Sequence, residues 1–361
     1  MIKNKQLKQL NKKIKQRKYS SITQEFNCNS DLNKNLNTND ILNPNYVTGI
    51  TDAEGNFYIS IYKDKRRNNK IQVRFFFTIS QRDHSEKMLF NLLDYFGCGK
   101  VIWQDQKNKV KRFVVDNQND IEMKIIPHFE KYALNTSKKL NFDDFKKAFY
   151  LFKQGQHKTN EGLSKITEIK ANMNKGRSFE DKFNSVQSNQ KLILHPNWIQ
   201  GFVDGEGNFN GYMYIEKRDN NILAISIKAE LNISQNIHDI AVLNAIKDFF
   251  NCGSLSPKLK DINNLNEIKS SGKLAVAYIN TITSSFIPFF DQYPLFTQKQ
   301  LDYLDMKKFK TLQNSKAYLT KEGFIKMLEI INGMNSGRFG ISKRKPIILP
   351  EWNENTKVVL K

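Results

Sequence analysis

The chain has 361 residues, 39% of them hydrophobic, and a formal net charge of +21 from 57 Lys and Arg against 36 Asp and Glu. That is enough apolar mass for two cores under a surface that attracts polyanions, with nucleic acid as the leading partner. No run of about 18 apolar residues occurs, which excludes a membrane-spanning helix, and no short apolar core of secretory type opens the chain. Cys28, Cys98 and Cys252 show no paired spacing, which argues against a disulfide framework or a structural zinc and for a reducing interior.

In chain order, residues 1 to about 40 are rich in Lys and Asn, carry no acidic residue before Glu25, and predict a basic, mostly disordered arm. A first folded repeat, 41–153, opens with YVTGITDAEGNF at Tyr46 to Phe57. Its pattern predicts a helix that runs into Glu54 and stops at Gly55 in a left-handed cap. Two alternating strands follow, joined by the polar tip KDKRRNNK at Lys63 to Lys70, and then an amphipathic helix between His84 and Phe96. A tight FGCG turn at Phe96 to Gly99, a shorter hairpin within Lys100 to Val115, and closing helices around YALNTSKK, Tyr132 to Lys139, complete the unit. Residues 154–191 are polar and predict a linker with one helix.

The second repeat, 192–340, says the same thing again. Trp198 to Phe209 reads WIQGFVDGEGNF, identical to the first block at six of twelve positions. LNISQNIH ending at His238 answers FTISQRDH ending at His84, FNCG at Phe250 to Gly253 answers FGCG, and YPLFTQKQ at Tyr293 to Gln300 answers YALNTSKK. Ser226, Lys228, Glu230 and Asn232 interleave with Ile225, Ile227, Ala229, Leu231 and Ile233, which is period two with one polar and one buried face. The fold class is therefore α+β, an αββαββα unit occurring twice, with 341–361 as a tail.

Gly49 and Ala53 lie four apart on one helix face, as do Gly201 and Gly205, so each motif helix carries a small-residue strip against which another backbone can close. If the two strips meet, Glu54 and Glu206 finish side by side near a pseudo-twofold axis. Carboxylates at helix C-termini oppose the dipole and repel each other, and divalent cations reverse both penalties. Oxygen-only ligands with open water positions suit Mg²⁺, which can polarise a phosphodiester and activate an attacking water. His84 and His238 match in position but each precedes a helix and reads as structural; Cys98 and Cys252, in matching turns, read as small packed residues.

VTGITDAEG at Val47 to Gly55 and IQGFVDGEG at Ile199 to Gly207 resemble the signature of the LAGLIDADG homing endonucleases of the single-chain, two-repeat type, and the resemblance covers about residues 41–340. It implies that the eighth motif position, Glu54 and Glu206, ligates metal, aided by the backbone carbonyls of Ala53 and Gly205. Both positions are Glu where the family name has Asp, a variant common in single-chain fungal members. It further implies a polar residue after the second strand, Gln81 and Gln235 by their place in ISQ, and a lysine, for which Lys138 (with Lys139 adjacent) and Lys299 are the candidates.

The resemblance also implies two pseudo-twofold-related, curved antiparallel sheets forming a saddle on the DNA major groove. About nine strand residues at roughly 3.3 Å each span close to nine base pairs. By alternation, Tyr58, Ser60, Tyr62, Gln72, Arg74, Phe76 and Thr78 face one half-site; Asn210, Tyr212, Tyr214, Ser226, Lys228, Glu230 and Asn232 face the other. Unequal faces imply a long, non-palindromic target, with flanking lysines gripping phosphates. The expected activity is metal-dependent, site-specific cutting of both strands of double-stranded DNA by a monomer, with Mg²⁺ as cofactor. The alternative is a maturase that assists splicing of its host intron RNA. Abundant Lys, Asn and Ile, taken with the family, suggest a fungal mitochondrial intron product.

Overall fold

The structure, a computed structural model, describes residues 42–186, 192–219, 222–256, 271–276, 282–340 and 345–360; the expected N-terminal arm and Cys28 lie outside them. The first repeat begins with α1 (Pro44–Glu54), nucleated by a proline in its first turn and by the Asn43 side chain, which accepts from the Asn45 N–H at 2.9 Å. Strands β1 (Gly55–Asp64) and β2 (Lys70–Arg82), helix α2 (Glu86–Phe96), and strands β3 (Lys100–Asp105) and β4 (Val110–Val115) follow. A π turn at Ile121–Ile125 leads into α3 (Ile126–Lys131), α4 (Lys138–Lys153), α5 (Asn160–Asn172) and α6 (Phe179–Val186).

The second repeat runs through α7 (Pro196–Glu206), β5 (Gly207–Asp219), β6 (Ile222–Asn236), α8 (Ile240–Phe250), β7 (Ser254–Ser256) and β8 (Ser271–Val276). After a π turn at Ile282–Phe286 come α9 (Ile287–Gln292), α10 (Lys299–Asn314), α11 (Lys321–Gly333) and a last strand, β9 (Lys357–Leu360). Among the described residues no helix is long and apolar enough to cross a membrane.

Each repeat folds into one antiparallel sheet, ordered β1-β2-β4-β3 and β5-β6-β8-β7. Period-two alternation sends one side-chain row inward. In the first sheet Phe57, Ile59, Phe75, Phe77, Ile79 and Phe113 are buried against Phe129, Phe142, Phe145 and Phe149 of the covering helices. Phe57 sits at the centre, with ring centroids of Phe77, Phe129, Phe142 and Phe145 at 5.1, 5.3, 5.4 and 5.5 Å. The second core repeats this with Phe209, Met213, Ile225, Leu231 and Ile233 under Phe286, Phe290, Tyr303 and Met306. Cys98 and Cys252 are partly buried against the edges of the two cores.

Three expectations are corrected. Gly55 and Gly207 are not left-handed caps: their φ/ψ of −74/154° and −73/152° are extended, and the helix passes straight into the strand. Glycine is required there by space, because a Cβ at Gly55 would lie 2.5 Å from Thr51 Cγ2 and one at Gly207 would lie 2.5 Å from Val203 Cγ1.

The stretch 154–191 is not simply a linker. Helix α5 packs Ile166, and the turn after it packs Met173, into the first core, just as α11 packs Phe324, Met327, Leu328 and Ile331, and the turn after it Met334, into the second. Met-Asn-x-Gly-Arg closes both repeats: the Asn174 and Asn335 amides donate to Phe57 O and Phe209 O at 3.1 and 2.8 Å. The apolar stripe on α5 is too narrow to stand out from its polar surroundings.

The C-terminal residues are part of the fold as well. Asn332 exchanges two 3.0 Å hydrogen bonds with the Ile347 backbone, and β9 pairs in parallel with β6 from Ile222↔Lys357 to Ile225↔Leu360. The second sheet thus has five strands where four were expected.

Candidate functional site

Helices α1 and α7 pack with their backbones almost touching. A Cβ on Gly49 would lie 2.1 Å from Trp198 O, one on Gly201 2.3 Å from Tyr46 O, and one on Gly205 2.2 Å from Ala53 Cβ. Only the smallest side chains allow this approach. Its consequence is that the two glutamates that end these helices share one site: the Gly205 Cβ position is also 3.3 Å from Glu54 Cγ, and the charge of Glu54 acts on Glu206.

Just inside each glutamate lies a fully buried aspartate. Asp52 accepts from the Trp198 indole N–H of the other repeat at 2.8 Å, from the Asn135 and Thr136 N–H groups at 2.8 and 3.2 Å, and from the Thr136 hydroxyl at 2.5 Å. Asp204 mirrors it, accepting from the Tyr46 hydroxyl at 2.7 Å, from the Phe296 and Thr297 N–H groups at 2.7 and 3.2 Å, and from the Thr297 hydroxyl. Each aspartate therefore joins three things: its own helix end, an aromatic of the opposite repeat, and the segment leading into the lysine helix of its own repeat. Burial outweighs these donors, pushing Asp52 up to about 6 and Asp204 upward too.

The lysine helices bring Lys138 and Lys299, the first residues of α4 and α10, into the same site. Lys138 Nζ donates to Thr51 O at 2.8 Å and Ala53 O at 3.3 Å; Lys299 Nζ donates to Gly205 O. Burial pushes both ammonium groups down, and the surrounding acids, Glu54 and Glu206 among them, pull them back up. Glu54 is raised by burial against the opposing pull of Lys299 and Lys138 and a hydrogen bond from Gln81. Glu206 is pushed up to about 7, first by burial and then by the neighbouring Glu54 charge. Gln235 differs from Gln81, since its side-chain oxygen turns back to accept from the Asn236 N–H at 2.8 Å.

Two carboxylates raised in pKa, with backbone carbonyls alongside, form an all-oxygen donor set, which fits a divalent cation. Among the described residues no group of three or more His, Cys, Asp or Glu forms a closed metal cage. The oxygens gathered here are those of Glu54, Glu206 and the Ala53 and Gly205 carbonyls.

Residues of the predicted DNA faces sit opposite the cores. Tyr62 and Tyr214 are 41% and 61% exposed, Arg74 and Lys228 are exposed, and Tyr58, Ser60, Gln72, Phe76, Asn210, Tyr212, Ser226 and Glu230 are half-buried. Tyr58 stacks on Phe76 with ring centroids 4.7 Å apart, and the Arg74 guanidinium lies 5.4 Å from the Phe76 centroid. Two assignments need correction: Thr78 and Asn232, at equivalent register positions, are buried to 5% and 7% exposure. Alternation puts them on the right face, but this close to the central helices neighbouring atoms cover them. Asn210 is held at the sheet edge, accepting from the Asn335 amide at 3.1 Å.

His84 stacks on Phe339 at 4.3 Å, and His238 lies 3.3 Å from Asp239. Asp52, Asp204, Tyr46, Trp198, Thr136 and Thr297 are site residues beyond those expected from the sequence. A signal was available: both twelve-residue blocks open on an aromatic and place Asp at the same position, and Thr precedes each lysine by two.

The profile of the LAGLIDADG endonuclease family matches residues 47–149 and 199–310. Probable intron-encoded endonuclease 2 of Neurospora crassa is 31% identical over 313 residues, covering 81% of this chain and 65% of the relative. Probable intron-encoded endonuclease 3 of the same organism is 31% identical over 295 residues, covering 78% of this chain and 52% of the relative. The chain thus spans half to two thirds of these relatives' length. Among solved structures, the I-SmaMI LAGLIDADG homing endonuclease bound to cleaved DNA superposes with a TM-score of 0.71 at 28% identity, covering 82% of this chain and 98% of that one. I-SmaMI has also been solved on an uncleaved DNA target in the presence of calcium ions.

Proposed function

The chain belongs to the LAGLIDADG endonuclease family, and from that premise we propose that it is a site-specific, double-strand DNA endonuclease that hydrolyses phosphodiester bonds with divalent metal, Mg²⁺ in its working state. The observation that carries this reading is the convergence of Glu54 and Glu206, one from each repeat, at the joined ends of α1 and α7. One carboxylate per half-site is the minimum that lets a single chain act on both strands.

In this reading Glu54, Glu206 and the carbonyls of Ala53 and Gly205 would hold the cations, which would supply Lewis acidity toward the scissile phosphate and a lowered pKa for bound water. The rest is done by the chain. Lys138 and Lys299, half-buried beside the glutamates, present positive charge where an extra negative charge develops on phosphate oxygen. Gln81 lies beside Glu54 and lowers its pKa. The exposed rows on β1, β2, β5 and β6 seat the duplex, with Arg74 and the stacked Tyr58–Phe76 pair offering base-edge and thymine-methyl contacts. The pairing of two unlike repeats in one chain supports action as a monomer on a non-palindromic site. The relatives' intron-encoded names and the Lys-, Asn- and Ile-rich composition support a fungal mitochondrial intron origin.

The test is a cleavage selection on a randomised duplex library with Mg²⁺, run beside Glu54→Gln and Glu206→Gln. Wild type is expected to cut both strands of a defined sequence, and either variant to bind that sequence without double-strand cleavage. Metal-independent cutting, or full activity in both variants, would overturn the assignment.

A further inference from the structure

The starts of the two lysine helices are each tied to the opposite repeat, but not by equivalent chemistry. The residue before Lys138 is Ser137, whose N–H donates to Asp239 Oδ1 at 2.7 Å and whose hydroxyl donates to Oδ2 at 3.2 Å. Ser137 and Asp239 are both buried, at 6% and 4% exposure. At the matching place in the other half, Gln298 precedes Lys299; its N–H donates to the Ser85 hydroxyl at 3.2 Å and its amide to His84 O at 3.1 Å. Asp239 and Ser85 each follow the matched histidine of the ISQ segment. One tie is therefore a desolvated carboxylate at a helix N-terminus, and the other is neutral.

Charge-assisted hydrogen bonds are about twice as strong as neutral ones, and a carboxylate at a helix start also gains from the dipole. The α4 start is accordingly held more firmly than the α10 start. The charge of Asp239 also reaches the site itself, acting on both Lys138 and Glu206. Lys299 has a different acid, Asp302, one turn along its own helix, but Asp302 is ion-paired with Arg338 at 2.9 Å.

We propose that Asp239 is a positioning residue that fixes Lys138 through the start of α4, making the two halves of the cleavage centre unequal so that the two DNA strands are cut at different rates. The inference rests on the endonuclease reading above, and it makes Ser85 and Asp239 an exchangeable pair.

The experiment uses the full chain and a strand-specifically labelled target. Lys138→Met first identifies the strand that depends on Lys138. Asp239→Ser, which copies the neutral tie of the first repeat, is expected to slow that strand roughly 10- to 100-fold, as small misplacements of a catalytic group do, and to change the other strand much less, through the charge it removes from beside Glu206. A nicked intermediate should accumulate. Asp239→Glu should restore part of the lost rate, and Ser85→Asp should shift the strand ratio in favour of the Lys299-dependent strand. Without metal or DNA, hydrogen exchange at the Ser137 amide should accelerate in Asp239→Ser while the global unfolding midpoint identifies any misfolded variant. Equal slowing of both strands, an unchanged ratio, or unchanged Ser137 exchange in a folded variant would overturn the proposal. A wild type that cuts no DNA would sink the endonuclease reading instead, and the Ser137 exchange would still decide whether Asp239 holds the helix.

Discussion

Trp198 of the second repeat donates its indole N–H to Asp52 of the first at 2.8 Å, inside an interface where both residues are at most 2% exposed. With its counterpart from Tyr46 to Asp204 at 2.7 Å, it stitches each motif helix to the aspartate of the other. These bonds hold the repeats in the one arrangement that brings Glu54 and Glu206 together.

Trp198→Phe and Tyr46→Phe each remove one donor from a buried carboxylate that keeps its others. Each is expected to cost about 1–3 kcal/mol, the typical penalty for a buried group losing a partner. Urea unfolding of the single variants measures this. Changes near zero would mean that the cross-repeat bonds do not hold the interface.

Gly205→Ala puts a methyl 2.2 Å from Ala53 Cβ and 3.3 Å from Glu54 Cγ. Overpacking of this kind costs about 1–3 kcal/mol, and here it should also slow cleavage by displacing Glu54. Ala53→Gly in the same chain opens the matching space, so the double variant should recover both stability and rate. Failure of the second change to rescue the first would show that the clash is felt elsewhere.

The pH dependence of the metal-free protein follows from Glu206. Its folded value of about 7 exceeds the ordinary 4.5, so the native state retains a proton that the unfolded chain releases. Stability from this group is fully present below about 4.5 and is lost as pH rises through the window up to 7. Asp52, raised to about 6, adds in the same direction at slightly lower pH. Glu206→Gln should flatten the upper part of the thermal-midpoint profile and raise the midpoint at neutral pH. A wild-type profile as flat as the variant's would contradict the buried-acid picture.

Added Mg²⁺ should raise the melting temperature at pH 7 to 8, because a cation bound only to the folded site stabilises it by about 2.7 kcal/mol at a hundred times its dissociation constant. The shift should shrink in Glu54→Gln and Glu206→Gln. An equal shift in all three proteins would place the cation elsewhere.

On the sheets, Lys228→Ala should weaken binding to all sequences and lower the log-log salt slope by about one, as expected for a lost phosphate contact. Arg74→Ala, beside the Phe76 ring, should instead relax discrimination at one base pair by about 1–3 kcal/mol. A binding-selection matrix for each variant distinguishes the two. Identical matrices would mean that Arg74 also grips only backbone.

Local pattern carried much of this architecture. Period-two alternation in β6 and the repeated twelve-residue blocks sufficed to place the strands, the paired helices and the two glutamates, because each is written in residues close together in the chain. Lys138 and Lys299 were reachable only by matching YALNTSKK to YPLFTQKQ, and the structure places both among the carbonyls of the motif helices. Helix α5 lies in a stretch whose sequence looks like a linker, because its inward residues gain their meaning from a core assembled elsewhere. Alternation alone leaves Thr78 and Asn232 open to DNA, because it tells which face a side chain takes but not what lies above it.

By itself, then, the amino-acid order determined that two similar units exist, which face of each strand is apolar, and that each unit ends a helix on an acid beside a strip of small residues. Only the tertiary structure decided how the halves are joined: Asp52 to Trp198, Asp204 to Tyr46, and Ser137 to Asp239, pairs separated by 146, 158 and 102 positions. The physical reason is range. Side-chain periodicity and steric fit between near neighbours act over a few residues, whereas a buried carboxylate takes whichever donors the closed core brings to it, so the repeated aromatic and Thr are visible in the sequence but their pairing across the repeats is not.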